Sequence, residues 1–336
     1  MNDSTPRLLG TGFAVPTTVR TNDDPVFDWL KANNPAGMAL FTGYDERRVL
    51  APGEDLMTIM LPAAQSALQN AGITVADVDL LLGSGSVSEY ESPNELVRLA
   101  ALLGVRADCW TVPMHNPFTN FNAALVFADS MIRAGRACHV LICIGGNWTR
   151  HVDYHTPQAI SAADGAGAAV VGLGGTGAHY ELVDFATLND FSYYGSMYMS
   201  GTPIEVTGQP PLWTNPVFQI TQSGIEGFKT FGETQPPLAA LNLMKKHGVT
   251  GAEMAMVSHQ ASSVLLEQWQ AALNPAEYFN TIAEFANLAL ANVALNLACG
   301  LQRQEITMNW LLLLGIGPDM HASAVLLRRA GGGQGV

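Results

Sequence analysis

One unit of secondary structure is written into this chain twice, and that repetition constrains the fold more than any other feature. The run A-G-I-T-V-A-D-V-D-L-L-L at 71–82 is answered by H-G-V-T-G-A-E-M-A-M-V at 247–257. Each reads as a helix end, a glycine, a short turn and a buried strand. Residues 118–135 leading into 138–146 are answered, in the same order, by 285–300 leading into 306–317, which sets Asn122 opposite Asn287. Two copies of one α/β unit stacked back to back bring their strand ends around a shared pocket. The expected halves are 1–175 and 176–330, with the glycine-rich 331–336 as a flexible tail.

Composition narrows what such a pocket can serve. The chain has 336 residues, 48% of them hydrophobic, enough to bury a large core. Sixteen basic against 29 acidic residues give a net charge of −13, which argues against a nucleic-acid partner. The cysteines at 109, 138, 143 and 299 form no C-x-x-C pair and read as reduced core residues, so the cytoplasm is the expected compartment. Residues 1–12 lack a basic flank before an apolar block, and the apolar run at 310–314 is too short to span a bilayer, so no membrane association is expected. Glycines follow several strands, but no G-x-G-x-x-G opens a helix, which argues against a nicotinamide cofactor.

Along the chain, 8–15 reads as a first strand ended by Pro16, and 24–48 as an irregular lid broken by Asn33-Asn34-Pro35. A helix at 57–69 closes at Gly72, and a strand at 78–82 ends at Gly83-Ser84-Gly85. Ser92-Pro93-Asn94-Glu95 reads as a capping box opening a helix at 95–103. A strand at 139–144 stops before Gly145-Gly146, and D-G-A-G-A-A-V-V-G at 164–172 is a strand of small residues that admits close backbone approach. Between these, V-P-M-H-N-P-F-T-N-F at 112–121 is an extended run turning into a helix. Asn116 is its expected cap, Pro117 its first residue, and Phe118, Phe121, Leu125, Ala128, Met131 and Ile132 recur at helical spacing. A buried helix N-terminus is where an enzyme holds a thiolate or an oxyanion. Neither Cys nor Ser stands there.

Five further stretches resemble one family. They are L-L-G-T-G-F-A-V-P at 8–16, F-T-G-Y-D-E-R-R-V-L at 41–50, D-G-A-G-A-A-V at 164–170, V-S-H-Q-A-S at 257–262, and G-I-G at 315–317 followed by S-A-V-L-L at 323–327. With the Asn287 segment they resemble the thiolase superfamily, and within it the ketoacyl-ACP synthase III branch. The resemblance implies an α/β thiolase fold, two duplicated halves in a five-layered αβαβα sandwich. It also implies a homodimer that loads an acyl group on a cysteine and condenses it with malonyl-ACP. The family histidine falls on His259, the asparagine on Asn287, and the glycine whose N–H completes the oxyanion hole on Gly317. Counting back from A-L-V-F-A-D at 124–129 puts the nucleophilic cysteine, and its oxyanion N–H, on Phe118, with Pro117 as the alternative. The adenine-stacking tryptophan corresponds to Trp29, whereas its arginine partner falls on Phe41. The basic residues that dock a carrier protein fall on Val264, Ala271 and Ala272, leaving Lys245-Lys246 as a patch that could offset the repulsion of an acidic carrier.

The resulting expectation is an atypical enzyme of polyketide or fatty-acyl metabolism that transfers, condenses or decarboxylates acyl thioesters without a Cys-bound intermediate. No tightly bound cofactor and no metal are expected, and the substrate is an acyl-CoA or acyl-carrier-protein thioester. His259 and Asn287 would hold the thioester carbonyl and the enolate formed on decarboxylation. The alternative is a non-catalytic subunit that forms a heterodimer with a Cys-bearing paralogue. Phe118 either plugs the acyl tunnel or forms one wall of it, and Phe121 lies on the same helix face. His115, before the cap, is a candidate base. Thr119, about 100° around the helix from Phe118, is a further pocket candidate, but it should point away from the tunnel, which argues against it as a substitute nucleophile. His151, Asp153 and His155 have a metal-like spacing but no further ligands nearby, and read as a surface loop.

Overall fold

The computed structural model describes residues 5–90, 92–174, 180–201, 203–204, 212–213 and 215–330. The 331–336 tail lies outside them.

Gly72 and Gly248 close the two repeated helices in left-handed backbone, with φ of 69° and 66°, a conformation glycine adopts without a Cβ penalty. Each is followed by a turn with the same capping box, Thr74 with Asp77 and Thr250 with Glu253. The duplication extends to the whole sheet. Its strands are β1 (Arg7–Ala14), β2 (Leu80–Gly85), β3 (Trp110–Pro113), β4 (His139–Asn147), β5 (Asp164–Gly172), β6 (Tyr180–Asn189), β7 (Met254–Ser258), β8 (Glu277–Phe279), β9 (Trp310–Ile316) and β10 (His321–Arg329). Among the described residues these run in the order β8-β7-β9-β10-β6-β1-β5-β4-β2-β3. Read outward from β1 and from β6, both halves give the order first, fifth, fourth, second, third. They join where Leu8 pairs with Tyr180.

Helices α1 (Leu56–Ala71) and α2 (Glu95–Leu103) pack on one side of the first half-sheet. Between the two half-sheets lie α3 (Asn120–Arg133) and, later in the chain, α6 (Asn292–Gln302). The remaining layer, on the second half-sheet, is α4 (Glu233–His247) with α5 (Ser263–Leu273) packed on it. The result is the expected αβαβα sandwich. The small residues of β5 let α6 in: a Cβ at Gly167 would stand 2.3 Å from the backbone nitrogen of Leu295. At the start of β5, the buried Asp164 accepts from Leu50 N–H (2.8 Å), Thr149 N–H (3.0 Å) and the Thr149 hydroxyl (2.5 Å), tying three segments together.

Several local expectations are corrected. Strands β2 and β4 continue through their glycines, because Gly83 and Gly85 pair with Cys143 and Gly145. Asn94, not Ser92, caps α2, its Oδ1 accepting from Leu96 N–H at 3.2 Å. The 24–48 segment is not irregular but a series of short helices followed by the strand Glu46–Arg48. Cys143 and Cys299 are buried as expected, but Cys138 is exposed and Cys109 only half-buried; all four are free. His151 is buried, with Nδ1 at 3.0 Å from Pro216 O, so H-x-D-x-H is not a uniform surface loop. Among the described residues no cluster of His, Cys, Asp or Glu could hold a metal, and no helix is long and apolar enough to cross a membrane.

The two inner helices start later than periodicity predicts. Phe118 has φ 67°, so α3 begins at Asn120, preceded by a turn in which Thr119 N–H donates to Asn116 O at 3.1 Å. Asn116 is not the cap and Pro117 is not helical. In the second half, Ala286 and Ala289 have φ of 51°, and α6 begins only at Asn292. Asn287 therefore lies in the segment before the helix, while Asn122 sits inside α3, donating to Ser323 O at 3.3 Å. The two do not stand opposite one another.

Candidate active site

His259 follows directly on β7, its N–H held by Leu314 O of β9 at 2.8 Å. Complete burial pushes its imidazole down to about 3, so the ring is neutral near pH 7. Asn292 fixes the tautomer. Its Oδ1 accepts from Leu288 N–H at 2.9 Å, which turns Nδ2 toward His259 Nδ1 at 3.0 Å and Asn287 Oδ1 at 2.7 Å. The Nδ1 of His259 is thus an acceptor and Nε2 carries the proton. Asn287 Oδ1 also accepts from Ala289 N–H at 2.9 Å, leaving Nδ2 as the group Asn287 offers outward. Both His259 and Asn287 line one cavity of about 630 Å³. Their side chains meet it as two neutral donors. Asn292 was not singled out in the sequence; its spacing from Asn287 on an otherwise apolar run was the available signal.

A buried neutral histidine makes stability depend on pH. The unfolded chain binds a proton at His259 below about 6.5, and the folded chain only below about 3. The contribution is complete above 6.5 and is lost as pH falls through that window. Between about pH 7 and pH 5 the wild type should lose about 2 kcal/mol more stability than His259→Gln, measured by urea unfolding of both at both pH values. Equal losses would mean that the ring is protonated in the folded state.

Phe118 stands beside this pair. Its ring stacks on His259, centroids 4.9 Å apart and planes 12° apart, and lies 6.1 Å from the ring of Phe218. Phe118 also borders a second cavity, about 710 Å³, that includes His115, Asn116, Tyr194, Met199 and Asp319. It therefore forms a wall common to both chambers. His115 is exposed at the second chamber, whereas Phe121 is core and lines neither.

Thr119 does point away from the His259 cavity, and what it meets was not legible. Its Oγ1, 1% exposed as a residue, lies 2.6 Å from His321 Nε2 and receives Asn116 Nδ2 at 2.7 Å. On the other ring edge, His321 Nδ1 bonds Asp319 Oδ1, and that bond holds the Asp319 carboxyl below the usual carboxylate range. Gly317 is corrected. Its N–H donates to His321 O at 2.8 Å and is not free for an oxyanion hole. Its lack of a side chain instead makes room for His321: a Cβ would stand 1.8 Å from His321 Cε1. Trp29 is exposed and packs on the His155 ring at 4.5 Å. Phe41 is buried edge-on to Phe27 at 5.2 Å, under the guanidinium of Arg47.

The doubled strand order, the inner helix pair and a cavity built from the strand ends of both halves define a thiolase-fold protein. Among solved structures, the priming β-ketosynthase from the R1128 polyketide biosynthetic pathway has the same fold, with a TM-score of 0.82 over 96% of each chain at 23% identity. Residues 118–190 match the family described as 3-oxoacyl-[acyl-carrier-protein (ACP)] synthase III. The chain is 27% identical to beta-ketoacyl-[acyl-carrier-protein] synthase III 2 of Streptomyces avermitilis, over 98% of this chain and 99% of that protein. It is also 27% identical to synthase III 4 of Streptomyces coelicolor, over 96% and 98%. Over nearly its whole length the chain is thus similar to ketoacyl-ACP synthase III proteins.

Proposed function

We propose that this protein acts on acyl thioesters, from coenzyme A or an acyl carrier protein, and transfers, condenses or decarboxylates them without a cysteine-bound intermediate. The single observation that supports this is the donor pair: His259 Nε2–H and Asn287 Nδ2–H border one cavity and share Asn292 as their support. Two neutral donors converging on a carbonyl oxygen stabilise the negative charge that develops there in a tetrahedral intermediate or a decarboxylation enolate. Neutrality matters, because the pair can accept that charge across the whole physiological pH range. The exposed Lys229 at the same cavity offers a cation to a phosphate-bearing thioester arm. Phe118, at the position the family resemblance gives to the nucleophile, has no group that attacks a thioester.

The test is product formation from acyl and malonyl thioesters by the wild type and by a variant carrying both His259→Ala and Asn287→Ala. Removal of one such donor costs about 100-fold or more in turnover, so the double variant should retain at most about 1%. Full activity in the double variant sinks the reading.

A second reading is a non-catalytic subunit that forms a heterodimer with a Cys-bearing paralogue. What favours a partner is β3, which lies at the sheet edge among the described residues and exposes Trp110 at 55%. Turnover by the protein purified alone, as a homodimer, removes the subunit reading.

A further inference from the structure

We propose that Thr119 is a nucleophile, activated by His321 and Asp319, that takes an acyl group from the thioester as an ester. The inference rests on the acyl-thioester reading above and places a covalent step beyond Phe118, on the side of the second chamber, where the His259 and Asn287 donors do not reach.

Three observations converge on it. First, the hydrogen bonds run in one direction. Asp319 accepts from His321 Nδ1–H, which leaves the Nε2 lone pair for the Thr119 hydroxyl 2.6 Å away. Asn116 Nδ2 donates to Oγ1 at 2.7 Å and so directs the hydroxyl proton toward His321. Second, Thr119 gives up the ordinary role of its position. It is the N-cap residue of α3, yet its side chain makes no cap bond and is spent on the histidine. The dipole and first-turn amides of α3 then remain to support an oxyanion. Third, the histidine ring occupies the space where a side chain at 317 would stand. Only a glycine at 317 leaves space for its ring. The residues on either side of the hydroxyl, Asn116 and Phe118, border the second chamber, as does Asp319. The Asn116 amide, itself at that chamber, is bonded to Oγ1, so the proposal requires that it swing aside to admit the thioester.

In the step, Oγ1 attacks the thioester carbonyl carbon while its proton passes to His321 Nε2. The new C–O bond forms, the C–S bond breaks, and the departing thiolate takes that proton from His321. No change of oxidation state occurs. The acyl ester is then open to an alcohol, an amine, water or a malonyl-derived carbanion.

The experiment incubates the full-length protein with acetyl-CoA through octanoyl-CoA, quenches in acid within the first turnover, and reads intact mass and peptide maps alongside free product. The expected result is one acyl group on the peptide containing Thr119. Labelling and product should persist in Thr119→Ser, and fall about 100-fold or more in Thr119→Val and in His321→Gln. Asp319→Asn should lower kcat with KM little changed, a split that a purely structural contact would not give. Peptide mapping of the wild type decides the case even if a variant fails to fold. An acyl group on another residue overturns the proposal. Product without any adduct, with Thr119→Val as active as wild type, overturns the triad and leaves the acyl-thioester reading standing. Neither product nor adduct across the chain lengths overturns both.

Discussion

Phe118→Cys is expected to turn a protein with no thiol at this site into one that takes up an acyl group on the new sulfur. The backbone is already suited to it. Phe118 sits at φ 67° at the tip of the turn before α3, and its ring lies flat on His259 at 4.9 Å. A sulfur on the same Cβ would lie beside the His259 ring and close to the positive end of a 14-residue helix, which favours the thiolate. Removal of the ring also merges the chambers of about 630 and 710 Å³, so the acyl chain gains room where the thioester arm ends. The variant should be labelled stoichiometrically at residue 118 by an acyl-CoA, and the label should survive when Thr119→Val is added. Peptide mapping is essential, because Cys138 is exposed and offers a background thiol. A folded variant with no label at 118 would mean that the nucleophile position was read one turn out of place.

How far the sequence reaches depends on the range of the contact. The repeated helix, glycine, turn and strand were legible because they are local; the Thr-x-x-Asp/Glu boxes inside the two turns are equally local but were passed over. The small residues of 164–172 likewise announced a close approach, although not which helix approaches. His259 and Asn287 were legible as polar residues in apolar runs, and through the family resemblance. What failed was decided by backbone sign and by distant partners. Nothing in N-P-F-T-N says that Phe118 takes a positive φ, so periodicity extended the helix two or three residues too early. The Thr119 and His321 contact spans 202 residues of sequence, and no one-dimensional pattern reports it. Gly317 was assigned an N–H role by resemblance, when its carbon-free side is what the His321 ring requires. The exposure of Cys138 follows from its place just before β4, which apolar composition alone could not distinguish from the strand interior.

The second large effect is expected at Asn292, which touches neither chamber and sets the state of both donors that do. Asn292→Asp keeps the acceptor that Leu288 N–H needs, but replaces the Nδ2 donor with a carboxylate oxygen facing His259 Nδ1 and Asn287 Oδ1. The proton of the neutral imidazole then moves to Nδ1, where it can be accepted, and Nε2 presents a lone pair to the cavity. A donor to the developing oxyanion becomes a repulsive acceptor, a loss of about 100-fold or more in turnover. The same carboxylate raises the His259 pKa from its buried value of about 3, because a nearby negative charge favours the imidazolium. Protonation restores an N–H at Nε2, so the variant should recover rate as pH falls, over a range in which the wild-type histidine stays neutral and contributes no slope. The check is turnover against pH for wild type, Asn292→Asp and Asn292→Ala. Asn292→Ala frees the tautomer without reversing it, so it should fall between the other two and lack the acid recovery. A variant Asn292→Asp with wild-type turnover and no pH dependence would show that Nε2–H of His259 is not what meets the substrate.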